Sequence, residues 1–226
     1  MNATFAIFRP LVAAVVLTVS LSSCFINISG LDNIIGNGNT TTEKRTITAF
    51  SGISNTLGAD IEITCKQTPG LEITTDDNLL QYIRTEVRSG VLTISTDRIS
   101  ISPRRLTIKA STDMLTNAQI TGSGDMVVTG IDTQNFTGQI SGSGNMRLSG
   151  QAPNGNYTVS GSGNIDARNC AAQQVVANIS GSGNITVAVS QVLDGSISGS
   201  GSIIYFGNPG TIRRNITGSG NISGGR

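Results

Sequence analysis

The chain has 226 residues, 28 of them glycine, with only 4% aromatic and 13% charged side chains. That length suits one ordinary domain or one solenoid, but the composition gives few large side chains for a conventional core. Lys and Arg number 15 against 14 Asp and Glu, a formal net charge of +1 with no basic block, so the electrostatic footprint of a nucleic-acid binder is missing; His and Trp are absent.

Residues 1–23 read as a secretory signal peptide. Arg9 is the only charge before the apolar run 11–19, and small residues follow in Leu21-Ser22-Ser23-Cys24. The run is shorter than the about 20 apolar residues of a spanning helix. Leu-Ser-Ser-Cys also resembles the bacterial lipobox, in which the Cys becomes the lipidated first residue of the mature protein. Cys24 is therefore the expected lipidation site, and the expected membrane contact is through this N-terminal lipid. No Asp follows Cys24, so the default location is the cell envelope, anchored at the outer membrane. Residues 24–42, rich in Asn, Gly, Ser and Thr, read as a lipidated N-terminus and tether, with the folded domain over 43–226.

Beyond Glu43 come runs that alternate apolar and polar residues: Asp60 to Thr64, Leu71 to Thr74, Val91 to Ser95 and Leu106 to Lys109. Period two marks half-buried strands, and Pro69-Gly70 and Ser89-Gly90 mark turns between them. Leu79, Leu80, Ile83 and Val87 break the alternation with a helical spacing. They predict a short helical turn packed on the β core, with Asp76, Asp77 or Asn78 as its cap. The pair Asp76-Asp77 reads as turn or cap chemistry rather than a catalytic dyad. Cys65 and Cys170 lie roughly five coils apart in a solenoid of about 4.8 Å per coil. That exceeds the about 7 Å reach of a disulfide, so both are expected to be buried free thiols.

From Ala118 a phrase takes over: apolar, Thr/Ser, Gly, Ser, Gly, polar, apolar. It runs from Ile120 to Met126 and returns at 140–146, 159–165, 179–185, 197–203 and 216–222. Its first glycines, at 122, 142, 161, 181, 199 and 218, are spaced by 18 to 20 residues. Such a period marks a solenoid. Constant parity through the phrase points the apolar residues and both glycines inward and the Thr/Ser, Ser and Asn outward. Stacked in register, the repeats give one ladder of Ser123, Ser143, Ser162, Ser182, Ser200 and Ser219. A second runs through Asp125, Asn145, Asn164, Asn184, Ser202 and Asn221. A hairpin meander with Gly-Ser-Gly-Asn at its turns has the same period; unbroken parity favours the parallel coil.

The repeated Gly-Ser-Gly-Asn-Ile, the approach Arg45-x-Ile47-x-x-Phe50-x-x-Ile53, and Asp77-Asn78-Leu79-Leu80 followed by Thr85-Glu86-Val87 resemble the head GIN domain family. It is also called the auto-transporter adhesin family, a domain of unknown function common in Bacteroidetes lipoproteins. The resemblance covers about Gly36 to Arg226. It implies an all-β fold, a right-handed parallel β-helix with coils of about 19 residues, and brings no catalytic residues with it. Asp125, Ser202 and the bulky Tyr205 depart from the repeat.

Anchor, rigid scaffold and repetitive polar face point to a non-enzymatic binding or adhesion module of the cell envelope, with a polysaccharide or another envelope component as partner. The candidate binding face is Ser143, Asn145, Ser162, Asn164, Ser182 and Asn184. The alternative is a β-helical polysaccharide lyase or hydrolase. Glycoside hydrolysis usually needs two placed carboxylates; the repeats offer Asp125, Asp132, Asp166 and Asp194, with no aligned acidic partner beside Asp125. Ice or crystal-surface binding by the flat polar face is a third, weaker reading. Ser and Asn are poor metal ligands, so no metal and no cofactor are expected.

Overall fold

The computed structural model describes residues 33–97 and 99–225. The signal peptide and Cys24 lie outside them. The first part of the fold comprises β1 (Asn33–Ile35), β2 (Thr40–Arg45), β3 (Gly52–Asn55), β4 (Asp60–Thr64), β5 (Gly70–Asp76), a 3-10 helix (Asp77–Tyr82), β6 (Ile83–Arg88), β7 (Val91–Thr96), β8 (Ser100–Ser102) and β9 (Thr107–Ser111). The repeats supply β10 (Asn117–Gly122), β11 (Met126–Asp132), β12 (Asn135–Gly142), β13 (Asn145–Gln151), β14 (Asn154–Gly161), β15 (Asn164–Gly181), β16 (Asn184–Gly199), β17 (Ser202–Phe206), β18 (Thr211–Gly218) and β19 (Asn221–Gly224).

The repeats form a parallel β-solenoid of about five turns. Each phrase straddles a corner between two walls. Ahead of the corner, Ile120, Ile140, Val159, Ile179, Ile197 and Ile216 are register partners down the first wall. Behind it, Met126, Met146, Ile165, Ile185, Ile203 and Ile222 are partners down the second. Every pairing is parallel, which rules out the hairpin meander. All but Ile216 in these two rows are buried. Burying one such side chain is worth about 1.5–3 kcal/mol, so a narrow apolar stripe repeated coil after coil replaces a wide core.

The corner corrects the expected parity. The first glycine of each phrase does not continue an extended strand: its φ lies between 117° and 138°, a region L side chains avoid. This bend leaves the following Ser exposed and turns only the second glycine inward, at Gly124, Gly144, Gly163, Gly183 and Gly201. From the second coil on, both glycines are required by stacking, since a Cβ on either would meet the carbonyl of its counterpart one coil away. The Gly142 carbonyl accepts from the N–H groups of Ser162 and Gly163, and Gly161 does the same for Ser182 and Gly183. A Cβ on Gly163 would drive into the Gly144 carbonyl and come within 2.7 Å of Ile140 Cγ2.

The other end of the stack is built differently. Strands β7 and β9 extend the two walls in parallel beside β3 and β4. Beyond them the pairing turns antiparallel, with β6 on β7, β5 on β9 and β2 on β5, which the repeat pattern alone does not announce. Ile83, which is buried, and Val87 already belong to strand β6, whereas Asp77–Tyr82 forms the expected short helical turn, with Leu79 buried. Asp76 occupies its N-cap position but does not cap it. Its carboxylate instead accepts from the N–H groups of Gly38 at 2.6 Å and Arg104 at 2.9 Å. Asn78 donates to the Ile35 carbonyl, and Asn37 to Asp77. These bonds hold 33–38 against the fold, so strand structure begins at Asn33, ahead of the change of pattern at Glu43. Cys65 and Cys170 are buried and free, as expected.

In the last coil, Arg214 takes the register position held above it by Gly138, Tyr157, Ala177 and Gly195, a core-facing row. Its guanidinium donates to Tyr205 Oη at 3.2 Å and lies 6.0 Å from that ring's centroid. Tyr205 stands in the corresponding core-facing row of the second wall, after Val187.

Candidate functional site

The two predicted ladders lie side by side along the corner but differ in chemistry. In the Asn column each amide is joined to the next. Asn145 Nδ2 donates to Asp125 Oδ1, Asn164 Nδ2 to Asn145 Oδ1, and Asn184 Nδ2 to Asn164 Oδ1, all at 2.8 Å. The two departures from the repeat fit the ends of this chain. Asp125 has only acceptors, and it also takes the Asn145 backbone N–H at 3.0 Å. Ser202 donates its backbone N–H to Asn184 Oδ1 at 3.2 Å.

The Ser column makes no such chain. Ser143, Ser162 and Ser182 are exposed, and no hydrogen bond joins their hydroxyls among the described residues. On the other side of the first glycine runs a second exposed hydroxyl column, Thr121, Ser141, Ser160, Ser180, Ser198 and Thr217. The corner thus presents two rows of free hydroxyls beside one row of mutually bonded amides. Six of six candidate residues fall on this one corner.

Beside the Asn column the second wall hollows into a shallow concavity of about 280 Å³. Its lining includes Asn145, Asn164 and Asn184 together with Arg147, Asp166, Arg168 and Thr186. Arg147, Asp166 and Thr186 are register neighbours on successive coils. Asp166 Oδ1 accepts from both the backbone N–H and the Nε of Arg168, each at 3.1 Å. The Arg168 guanidinium also stands over Phe206, 5.5 Å from the ring centroid, a cation–π distance. Sequence reasoning overlooked these arginines because neither position, two residues past Asn145 and four past Asn164, recurs as Arg from coil to coil. The signal was the outward parity continuing beyond the phrase.

The acidic residues of the repeats are engaged one by one. Asp125 ends the Asn column, Asp132 pairs with Lys66 at 2.8 Å, Asp166 holds Arg168, and Asp194 lies 3.8 Å from Arg213. The Lys66 ammonium, followed by the Gln151 amide, lowers the Asp132 carboxyl below its ordinary value. No group of three or more His, Cys, Asp or Glu is placed to hold a metal among the described residues. None of their helices is long and apolar enough to cross a membrane.

A stacked corner of this kind, on a parallel solenoid with an antiparallel end, defines a β-solenoid domain. Residues 49–209 match the family described as "Putative auto-transporter adhesin, head GIN domain", and the chain belongs to that family. Among solved structures it is similar to a "putative adhesin" from Bacteroides fragilis NCTC 9343, with 24% identity and a TM-score of 0.70 over 84% of this chain and 99% of that one. It is also similar to a "putative lipid binding protein" from Parabacteroides distasonis ATCC 8503, with 27% identity and a TM-score of 0.59 over 86% and 100%. A "putative adhesin" from Parabacteroides merdae ATCC 43184 shares 22% identity and a TM-score of 0.55 over 86% and 100%. A search among curated proteins gives no match.

Proposed function

We propose that this chain is a non-enzymatic binding module of the cell envelope, anchored through a lipidated Cys24 at the outer membrane, and that its corner grips an envelope polysaccharide. The observation that carries this reading is the division of labour between columns. The Asn amides bond one another along the stack and keep one N–H each; the Ser hydroxyls are exposed and fully unspent, so they are the groups most available to a ligand. Hydroxyls both donate and accept, which suits sugars. One rung offers little, so binding draws on avidity over several coils. The adhesin names of the family and its structural neighbours support the same direction, and the separate engagement of each acid gives no support to a lyase or hydrolase.

The test is a protein carrying Ser143→Ala, Ser162→Ala and Ser182→Ala together, compared with wild type for folding and for binding to isolated cell-envelope glycans. The expected outcome is a folded variant with weakened binding. A folded variant that binds as well as wild type, or a wild type that binds no glycan, removes the reading. The anchor is tested separately, by feeding cells a fatty-acid analogue: labelling is expected to disappear in Cys24→Ser.

A further inference from the structure

We infer that the concavity beside the Asn column is a subsite for the anionic groups of an acidic polysaccharide, with Arg147 and Arg168 as its specificity-determining residues. This rests on the reading of the corner as a glycan-binding surface and names the class of glycan. Three observations carry it.

The first is the balance of donors and acceptors. Arg147 is exposed, and no carboxylate lies within ion-pair distance of it among the described residues. Its guanidinium has five N–H groups and no acceptor. Arg168 spends its Nε on Asp166 and keeps its two terminal nitrogens. Each Asn amide of the column keeps one N–H after bonding its neighbour. Against these donors stands a single carboxylate, Asp166, one of whose oxygens already accepts twice. The hollow is completed by a ligand rich in acceptors and negative charge, and a planar guanidinium binds carboxylate or sulfate oxygens in pairs.

The second is preorganisation. The Arg168 side chain is fixed between Asp166 and the Phe206 ring, so less rotamer freedom is lost on binding. The third is the position of opposing charge. Asp125 heads the Asn column, and its backbone N–H is bonded to Asp60 at 3.2 Å. Two carboxylates therefore bound the column on the side away from Arg168. A polyanion lying on it is attracted over the coils of Asn145 to Asn184 and repelled beyond Asp125.

The experiment measures binding of the purified full chain, in detergent, to four polymers: polygalacturonate, its fully methyl-esterified form, dextran sulfate and dextran. We expect at least one anionic polymer to bind ten-fold or more tighter than its uncharged counterpart, with the preference lost at about 0.5 M salt, where the screening length falls to a few ångströms. Which anion wins distinguishes carboxylate from sulfate. Arg147→Gln with Arg168→Gln is expected to cost ten-fold or more on the anionic polymer only, and Lys at both positions to restore part of it; the melting temperature of each variant reports on folding. Equal binding of charged and uncharged forms overturns the inference and leaves the corner reading standing. Binding by the double Gln variant equal to wild type overturns the assignment to these arginines. No binding to any polymer or to isolated envelope glycans overturns both.

Discussion

The repeats and the end that precedes them solve the same problem by opposite means. From Asn117 to Gly224 each coil is held by what its neighbour repeats: a bent glycine, a carbonyl that accepts twice, an amide that passes its bond along. From Asn33 to Ser111 the wall strands recur but the Gly-Ser-Gly corner does not. There the stack is closed by antiparallel strands and by single side chains with single tasks, Asp76 on Gly38 and Arg104, and buried Asn55 on the Ala59 carbonyl and the Leu57 N–H. Damage in the repeats is therefore steric and local to a coil joint, whereas damage in the cap is electrostatic and releases a segment.

Gly163→Val is expected to be the most destabilising change, because the new side chain meets both a backbone carbonyl and Ile140 and forces two coils apart. The loss should reach about 3 kcal/mol, the upper part of the range for overpacking, read from urea denaturation. A loss no larger than that of the neighbouring Ser162→Ala would mean the corner is misassigned.

The cap is broken by acid. The Arg104 N–H, with that of Gly38, holds the Asp76 carboxyl below its ordinary value. A carboxyl lowered on folding stabilises the native state above its unfolded pKa, near 3.9, and that stabilisation disappears as pH falls below it. Amide exchange at Gly38 and Arg104 should therefore accelerate below about pH 4, relative to corner amides such as that of Ser182. Asp76→Asn should show the faster exchange at neutral pH as well. Uniform protection of both regions through this range would contradict the contrast between them.

Smaller effects sharpen the division within the corner. Asn164→Ala removes two bonds of the amide column and should cost about 1 kcal/mol. Ser162→Ala should stay within about 0.5 kcal/mol, as exposed substitutions do. The least effect is expected in the core at Tyr157, whose hydroxyl is buried with no hydrogen-bond partner among the described residues, beside glycines 138 and 155 that make room for its ring. Burial, with the neighbouring Cys170 thiol, pushes its pKa upward and keeps it neutral. Tyr157→Phe should leave the denaturation midpoint unchanged or slightly raised.

The difference between the regions also decides what could be read in advance. Period, wall rows and amide column were legible because identical residues stacked in register face identical surroundings. The sign of φ at the first glycine was not, since Gly122 or Gly142 fits an extended strand as readily as a bend. The cap was legible only as strands: that Asp76 would reach back to Gly38 depends on a contact 38 residues away. Arg147 and Arg168 stayed hidden for a related reason, because one-off residues leave no trace in a search for recurrence.

Arg214 gives the array an end-stop. A coil stacked on it would have to close over a guanidinium in a row otherwise filled by glycine, alanine and tyrosine, and inward charges of this kind blunt sheet edges. Between that stop and the cap, successive coils enter and leave through the same Gly-Ser-Gly hinge. Insertion or deletion of one whole link, joined at two such hinges, would keep the glycine corners of the rest in register. A lineage can then tune how far the polar corner reaches in steps of one coil, as a chain is let out link by link while its clasp stays the same.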